Sequence, residues 1–197
     1  MNIPNTLEEF PQLETDRLIL RKMTPDDAEP IFQIFADDEV TKFYDVASFT
    51  SIGQARELIE LNLERFNRRE GIRWAIVRKE DDVLVGTCGY NNLYKTSRRG
   101  VIGYDLARAY WGKGIITEAL RVMIQYGFEE LGLNRIEAFV MPENLASMNA
   151  LRKLGFREEG VLREYGFWKG QFVDLKCFSL LKREYRERDA PSSATAV

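Results

Sequence analysis

The chain changes its period within sixteen residues, Asp105 to Leu120, and that change restricts the fold more than any other feature. Before it, Ile72, Trp74 and Ile76 alternate with Arg73, Ala75 and Val77, Val83 to Tyr90 reads as a second strand, and Gly100 to Leu106 as a third. The connections between these three are too short for crossovers, so they form an antiparallel meander. After it, Ala119, Leu120, Met123, Ile124, Gly127, Phe128 and Leu131 recur at three- and four-residue spacing, which is a helix. Arg135 to Val140 returns to strand. A strand–helix–strand unit over about 100–140 requires one parallel crossover, right-handed by rule, inside a sheet that is otherwise antiparallel.

The remaining segments fit around that unit. Arg17 to Arg21 reads as a first strand. Thr24, Pro25, Asp26 and Asp27 form a helix start with a capping hydroxyl, proline at the first helical position and early acids, leading to a helix ending near Asp37. A second helix begins at Ser51 with the stripe Ile52, Ala55, Ile59, Leu63 and Phe66, and Gly71 ends it. Asp81-Asp82 marks a tight turn. Asn144 to Leu154 is a short helix capped by Asn144 and stopped by Gly155, and two last strands cover about 156–165 and 171–181. The expected fold class is α/β of the α+β type: a mixed, mostly antiparallel central sheet of about seven strands with about four helices. Residues 1–188 are expected to form one domain behind a loose leader at 1–12. The Pro, Ser, Ala and Thr-rich stretch 189–197 reads as a disordered tail.

Composition narrows the chemistry. No histidine occurs among the 197 residues, which removes Ser-His-Asp and Cys-His catalysis and histidine-based metal sites. Proton chemistry is left to carboxylates, tyrosine, serine, backbone groups or water, and no metal is expected. The two cysteines, Cys88 and Cys177, sit in apolar runs far from a CxxC spacing and read as buried thiols. The net charge is −3, and Arg98-Arg99 and Lys182-Arg183 are short, isolated basic pairs, so direct nucleic-acid binding is not expected. No apolar run approaches the ~18 residues of a membrane span. The acidic stretch Met1 to Pro11 is no signal peptide, which makes the cytoplasm the expected compartment.

The period change also carries the strongest functional signal. Gly112 and Gly114 stand where the strand gives way to the helix, with Lys113 between them. Glycine lets a backbone approach an anion without Cβ interference. The first N–H groups of a helix lack internal partners and point outward at the positive end of its dipole, which suits a pyrophosphate. The spacing is neither a Walker loop nor a GxGxxG dinucleotide loop, because Thr117 takes the third glycine position. A lone GxG is also an ordinary turn.

A second segment, 134–160, follows at a suitable distance. The stretches YWGKGIITEAL, LGLNRIEAFV, NLASMNALRKLGF and EEGVLRE together resemble the GNAT superfamily of acyl-CoA-dependent N-acyltransferases. The closer likeness is to its branch of ribosomal-protein N-terminal alanine and serine acetyltransferases, and it runs from LETDRLILR to FSLLKREY. The resemblance implies the GNAT fold with one splayed strand pair and acetyl-CoA as co-substrate. It places the pyrophosphate on Gly112, Lys113, Gly114, Ile115 and Ile116, and the pantetheine arm along the backbone of Tyr104, Asp105 and Leu106 and beside Asn144. Many members carry a tyrosine acid on the short helix where this chain has Leu151. The similar branch has a serine one turn earlier, matching Ser147, so the resemblance makes Ser147 the group that meets the leaving thiolate and a further cofactor contact. Asn144 and Ser147 are equally ordinary in a helix start, and Glu118 suits a first helical turn. Many relatives hold a glutamate before the Ile-Gly-Tyr strand motif, where this chain has Val101. Asp105, Glu137 and Glu164 remain as carboxylate candidates, with Glu164 taken forward as the catalytic one.

The reaction implied is direct attack of a primary amine on acetyl-CoA in a ternary complex, by a monomer or homodimer. An α-amino group of pKa ~8 is neutral in roughly a tenth of molecules at pH 7, against about 0.04% for a lysine at ~10.4. Deprotonation costs about 1.4 kcal/mol for the first and about 4.6 for the second. A site with a weak base therefore favours an α-amine, such as the N-terminus of a ribosomal protein. An amino sugar or antibiotic amine is the alternative acceptor, and a non-catalytic acyl-CoA-binding module the alternative role.

Overall fold

In the computed structural model, which describes residues 9–189, the change of period becomes the single parallel crossover of the sheet. Strand β1 (Leu13–Glu14) pairs with β2 (Leu18–Arg21). Helices α1 (Ala28–Phe35), α2 (Asp38–Thr41) and α3 (Ile52–Asn67) follow, then the meander β3 (Ile72–Arg78), β4 (Leu84–Tyr94) and β5 (Arg99–Leu106). Helix α4 (Ile115–Glu129) crosses to β6 (Arg135–Val140), and α5 (Leu145–Lys153) leads to the hairpin β7 (Arg157–Trp168) and β8 (Gln171–Leu181), closed by α6 (Lys182–Asp189). The order across the sheet is β1-β2-β3-β4-β5-β6-β8-β7.

Central strands are covered on both faces. Trp74 and Ile76 of β3 point into a core with Leu120, Met123 and Phe128 of α4 and with Met148 and Leu151 of α5. Ala75 and Val77 point the other way, onto Ile31 and Phe35 of α1 and Ala55 and Ile59 of α3. The stripe at three- and four-residue spacing in α4 is the face that meets the sheet. Gly127 in that stripe is required by close packing. A Cβ there would lie 1.9 Å from the hydroxyl of Tyr90, a fully buried side chain whose O–H donates to the Met123 carbonyl at 3.0 Å. Gly127→Ala is therefore expected to destabilise by about 1–3 kcal/mol through overpacking, despite alanine's better helix propensity. Differential scanning calorimetry should show a Tm several degrees lower; an unchanged or raised Tm would contradict the close approach.

β5 and β6 pair only from Arg99↔Arg135 to Val101↔Glu137. Beyond Val101 the two strands part, and the other elements build a site around the gap.

The observed counts are eight strands and six α-helices among the described residues, against the expected seven and four. The additions are β1, the single turn α2 and the closing helix α6. β4 also runs four residues past its expected end at Tyr90, across an irregularity between Tyr90 and Asn92. The leader up to residue 8 and the tail from 190 lie outside the described residues. No helix among the described residues is long and apolar enough to cross a membrane.

Candidate active site

The gap between β5 and β6 widens into a cleft of about 420 Å³, bounded by the end of β5, the start of α4, the start of α5 and the segment following α2. The register determines what β5 offers to it. Ala107 N–H bonds the Val85 carbonyl at 2.8 Å, and Asp105 lies opposite Thr87, so Ala107 and Asp105 face β4. By the alternation of an antiparallel ladder, the N–H and C=O groups of Tyr104 and Leu106 face the gap. Both carbonyls are already engaged: Leu106 accepts from the Trp111 indole N–H at 2.8 Å and Tyr104 from the Tyr44 hydroxyl at 2.7 Å. The two N–H groups are left directed at whatever occupies the cleft.

At one end stands the glycine turn. Gly112 and Gly114 both adopt left-handed φ, 74° and 76°, and Gly114 is the N-cap of α4 with no side chain closing the helix end. A Cβ at Gly112 would meet nothing within 4 Å, so the space above the turn is open to a ligand. Ile115 and Ile116 begin the helix, and their outward N–H groups make the donor set of an anion site. The side chain of Lys113 is exposed, with Nζ 5.3 Å from the Tyr110 ring centre. These donors and the open cradle fit the pyrophosphate of coenzyme A. Glu118 plays no part in the cleft, because Arg17 and Thr15 hold its carboxylate at 2.5 Å each.

At the other end Asn144 caps α5, its Oδ1 accepting from Ser147 N–H at 3.1 Å. The Ser147 hydroxyl lies 2.6 Å from the phenolic oxygen of Tyr104. Leu151, four residues further on, does not share the cleft with Ser147. It is fully buried in the core, and the helix turns Ala146, Ser147 and Ala150 toward the cleft instead. Burial pushes the Tyr104 phenol up to about 12, and the Ser147 hydrogen bond opposes that rise only in part, so the group is protonated at neutral pH.

Beneath the cleft lies a polar cluster. Arg73 and Asp105 form an ion pair at 2.6 Å, with side chains 9% and 0% exposed. Thr87 donates to Asp105 through its N–H at 3.0 Å and its hydroxyl at 2.5 Å, and Arg73 also donates to Asn91 at 2.9 Å and to Thr87 at 2.7 Å. The Tyr44 hydroxyl is 3.5 Å from both Asp105 Oδ2 and Arg73 Nη2. Burial, and after it the Asp105 charge, raise the Tyr44 phenol far above its ordinary range.

The structure thus brings Tyr104, Asp105, Leu106, Gly112, Gly114, Ile115, Ile116, Asn144 and Ser147 to one cleft, whereas the Lys113 side chain lines a neighbouring pocket with Arg17, Arg78 and Tyr110. Two carboxylate candidates do not join them. Glu137 sits on the paired part of β6, buried and held by Arg99 at 2.5 Å and Arg135 at 2.6 Å. Glu164 lies on an irregular stretch of β7, exposed, with φ of 51° and its N–H donated to Asp174 at 2.8 Å. Asp105 is in place, but its carboxylate is fully engaged by Arg73 and Thr87. Tyr44, which lines the cleft, was missed because it follows a single-turn helix with no readable periodicity. Among the described residues no group of three or more acidic or thiol side chains is placed to hold a metal ion.

Comparison with known proteins gives a consistent picture. Residues 17–157 match the family described as the acetyltransferase (GNAT) domain. The uncharacterized N-acetyltransferase p20 of Bacillus licheniformis is 46% identical over 173 residues, 88% of this chain and 97% of its own. The ribosomal protein uS5-alanine N-acetyltransferase of Escherichia coli is 26% identical over 83% of this chain and 87% of its own. The crystal structure of the ribosomal-protein-S5-alanine acetyltransferase of Vibrio fischeri superimposes with a TM-score of 0.77 at 25% identity, covering 89% of this chain and 98% of that one.

Proposed function

The chain belongs to the GNAT family and is an acetyl-CoA-dependent N-acetyltransferase; from that premise we propose that its acceptor is the α-amine of a protein N-terminus, that of a ribosomal protein in particular. The observation that carries this reading is the state of the carboxylates in the cleft. Two of the lining residues are acidic: Asp105, neutralised by Arg73, and Glu39, 4.0 Å from Lys42. Asp105 is fully engaged, and Glu39 is a half-exposed carboxylate in a weak surface pair, so neither is a buried base positioned at the gap, and an amine that is already partly neutral is the better nucleophile. The alanine N-acetyltransferases named above act on such an amine, which supports the assignment.

In this mechanism the pyrophosphate rests on the N–H groups from Gly112 to Ile116 with Lys113 adding charge. The pantetheine arm follows β5 past Tyr104 and Leu106 and reaches Asn144. The acceptor enters from the side of Lys42, Phe43 and Tyr44. Its nitrogen attacks the thioester carbonyl while a β5 N–H polarises the carbonyl oxygen, and positioning supplies much of the rate. Ser147 meets the leaving sulfur.

The test is a panel of amines read by release of free coenzyme A thiol. Peptides with a small first residue should outperform the same peptides with a blocked N-terminus and one internal lysine. The rate should rise with pH and level off near ~8, the pKa of the amine itself. Preference for the lysine peptide, or for an amino sugar over every peptide, would overturn the acceptor assignment and leave acetyl transfer intact.

A further inference from the structure

The helix that faces the thioester lacks the tyrosine that would meet the leaving group directly, and the buried Leu151 cannot take its place. A phenol nevertheless reaches the site from the strand: Tyr104 Oη lies 2.6 Å from Ser147 Oγ. We propose that Tyr104 is a positioning residue for departure of the thiolate, its phenol donating to Ser147 Oγ so that the serine's own hydrogen points at the sulfur. This rests on the reading that places the thioester beside Ser147.

The direction of the hydrogen bond follows from what each hydroxyl can do. Each has one hydrogen and can also accept. A phenol is a far stronger acid than an aliphatic alcohol, so it is the better donor of the pair. The other acceptor near the Tyr104 hydroxyl is the Ser147 carbonyl at 3.4 Å, much the longer contact. With Tyr104 donating to Oγ, the serine's hydrogen remains available; with the reverse polarity it would be spent on the phenol.

Both partners are held. The Tyr104 carbonyl is tethered to the Tyr44 hydroxyl on one face of the sheet, and its ring packs against the core on the other. Ser147 is fixed through its N–H by the Asn144 cap. A hydroxyl at the start of α5 rotates freely about its C–O bond, and the strand phenol removes that freedom.

The chemistry balances without a net change in either residue. The amine nitrogen forms its bond to the carbonyl carbon, the C–S bond breaks, and its electron pair goes to sulfur. The Ser147 hydrogen bond stabilises that charge as it develops, and Tyr104 stabilises the polarised serine. The proton that sulfur finally holds is the one the acylated nitrogen loses, so Ser147 and Tyr104 end the cycle as they began it.

The experiment is a double-mutant cycle on kcat with Tyr104→Phe, Ser147→Ala and both together. It is run with the best acceptor of the amine panel, whichever class that is, or with the slow hydrolysis of acetyl-CoA, which has the same leaving group. Ser147→Ala should lower kcat by about 100-fold and Tyr104→Phe by about 10-fold, with the Kd for acetyl-CoA and the Tm close to the parent's. The double variant should be no slower than Ser147→Ala, because a phenol that acts through the serine has nothing left to act on. Losses that multiply to about 1000-fold would show Tyr104 acting independently and overturn the proposal. So would an unchanged kcat in Tyr104→Phe, or a loss confined to Kd. An inert Ser147→Ala would overturn it too while leaving acetyl transfer standing, whereas failure of the α-amine assignment alone would not touch it.

Discussion

Gly114→Val is expected to abolish acetyl-CoA binding at any ordinary concentration, and Gly112→Val to do nearly the same. Two effects act together. Both positions need a left-handed φ, which costs an L-residue with a side chain about 1–2 kcal/mol, and a β-branched one is the least suited to it. Relief of that strain turns the N–H groups of the turn away from the ligand. Hydrogen bonds from these N–H groups to a charged phosphate, each worth about 1.5–3 kcal/mol, are then at risk, and losing about 4 kcal/mol of them raises Kd by roughly 1000-fold. Gly112 separates this effect from simple crowding within the protein, since a Cβ there meets nothing within 4 Å. In the parent, acetyl-CoA at about 100 times its Kd should stabilise the fold by about 2.7 kcal/mol, a shift in Tm of several degrees. The variants should fold, with a somewhat lower Tm, and show no shift. Parent-like titration calorimetry for both would place the phosphate site elsewhere.

That turn was legible in the sequence because its physics is local: glycine, a strand ending, a helix beginning. The crossover and the meander were legible for the same reason, since periodicity and connection length are properties of contiguous residues. What escaped depends on contacts between distant segments. β1 is two residues long and exists through its pairing with Leu20 and Ile19. α2 is one turn, too short to show a stripe, and is started by the Asp37 carboxylate accepting from Glu39 N–H at 2.9 Å. α6 has the polar sequence KREYRERD and no apolar face; it is anchored by Lys182 reaching the Phe128 carbonyl at 2.6 Å and by Tyr185 lying on the Phe128 ring.

The site divides in the same way. The residues that approach coenzyme A through their backbone or a helix cap were readable from motif and spacing. The burial of Leu151 was not legible, because Ser147 lies at the boundary of the buried face and a helical spacing of four does not say which flank of the boundary a neighbour takes. The phenol of Tyr104 was hidden behind the use of its backbone. The burial of Arg73 was not legible from its place in an alternating strand. In a central strand covered on both faces, alternation separates two buried environments and not inside from outside.

Arg73 therefore gives the second large effect. Asp105→Ala should destabilise the protein by about 3–5 kcal/mol, because it leaves a guanidinium that is 9% exposed without its counter-charge. It also takes away the side-chain acceptor of the Thr87 hydroxyl. For a domain of this size the Tm should fall by about 6–20 °C. Asp105→Asn keeps the shape but not the charge and should fall between the parent and the alanine variant. Replacing both members, Arg73→Met with Asp105→Leu, removes the unpaired charge and should recover much of the loss, since a buried ion pair exchanged for apolar side chains of similar volume is often close to neutral. Activity should not recover with stability. The pair flanks the Tyr44 hydroxyl at 3.5 Å on each side, and that hydroxyl holds the Tyr104 carbonyl at the edge of the gap. The doubly apolar variant should therefore melt near the parent yet acetylate more slowly, with the deficit in kcat. A doubly apolar variant with full kcat would show that the ion pair supports only the fold, and an Asp105→Ala protein within about 2 °C of the parent would show that it does not hold even that.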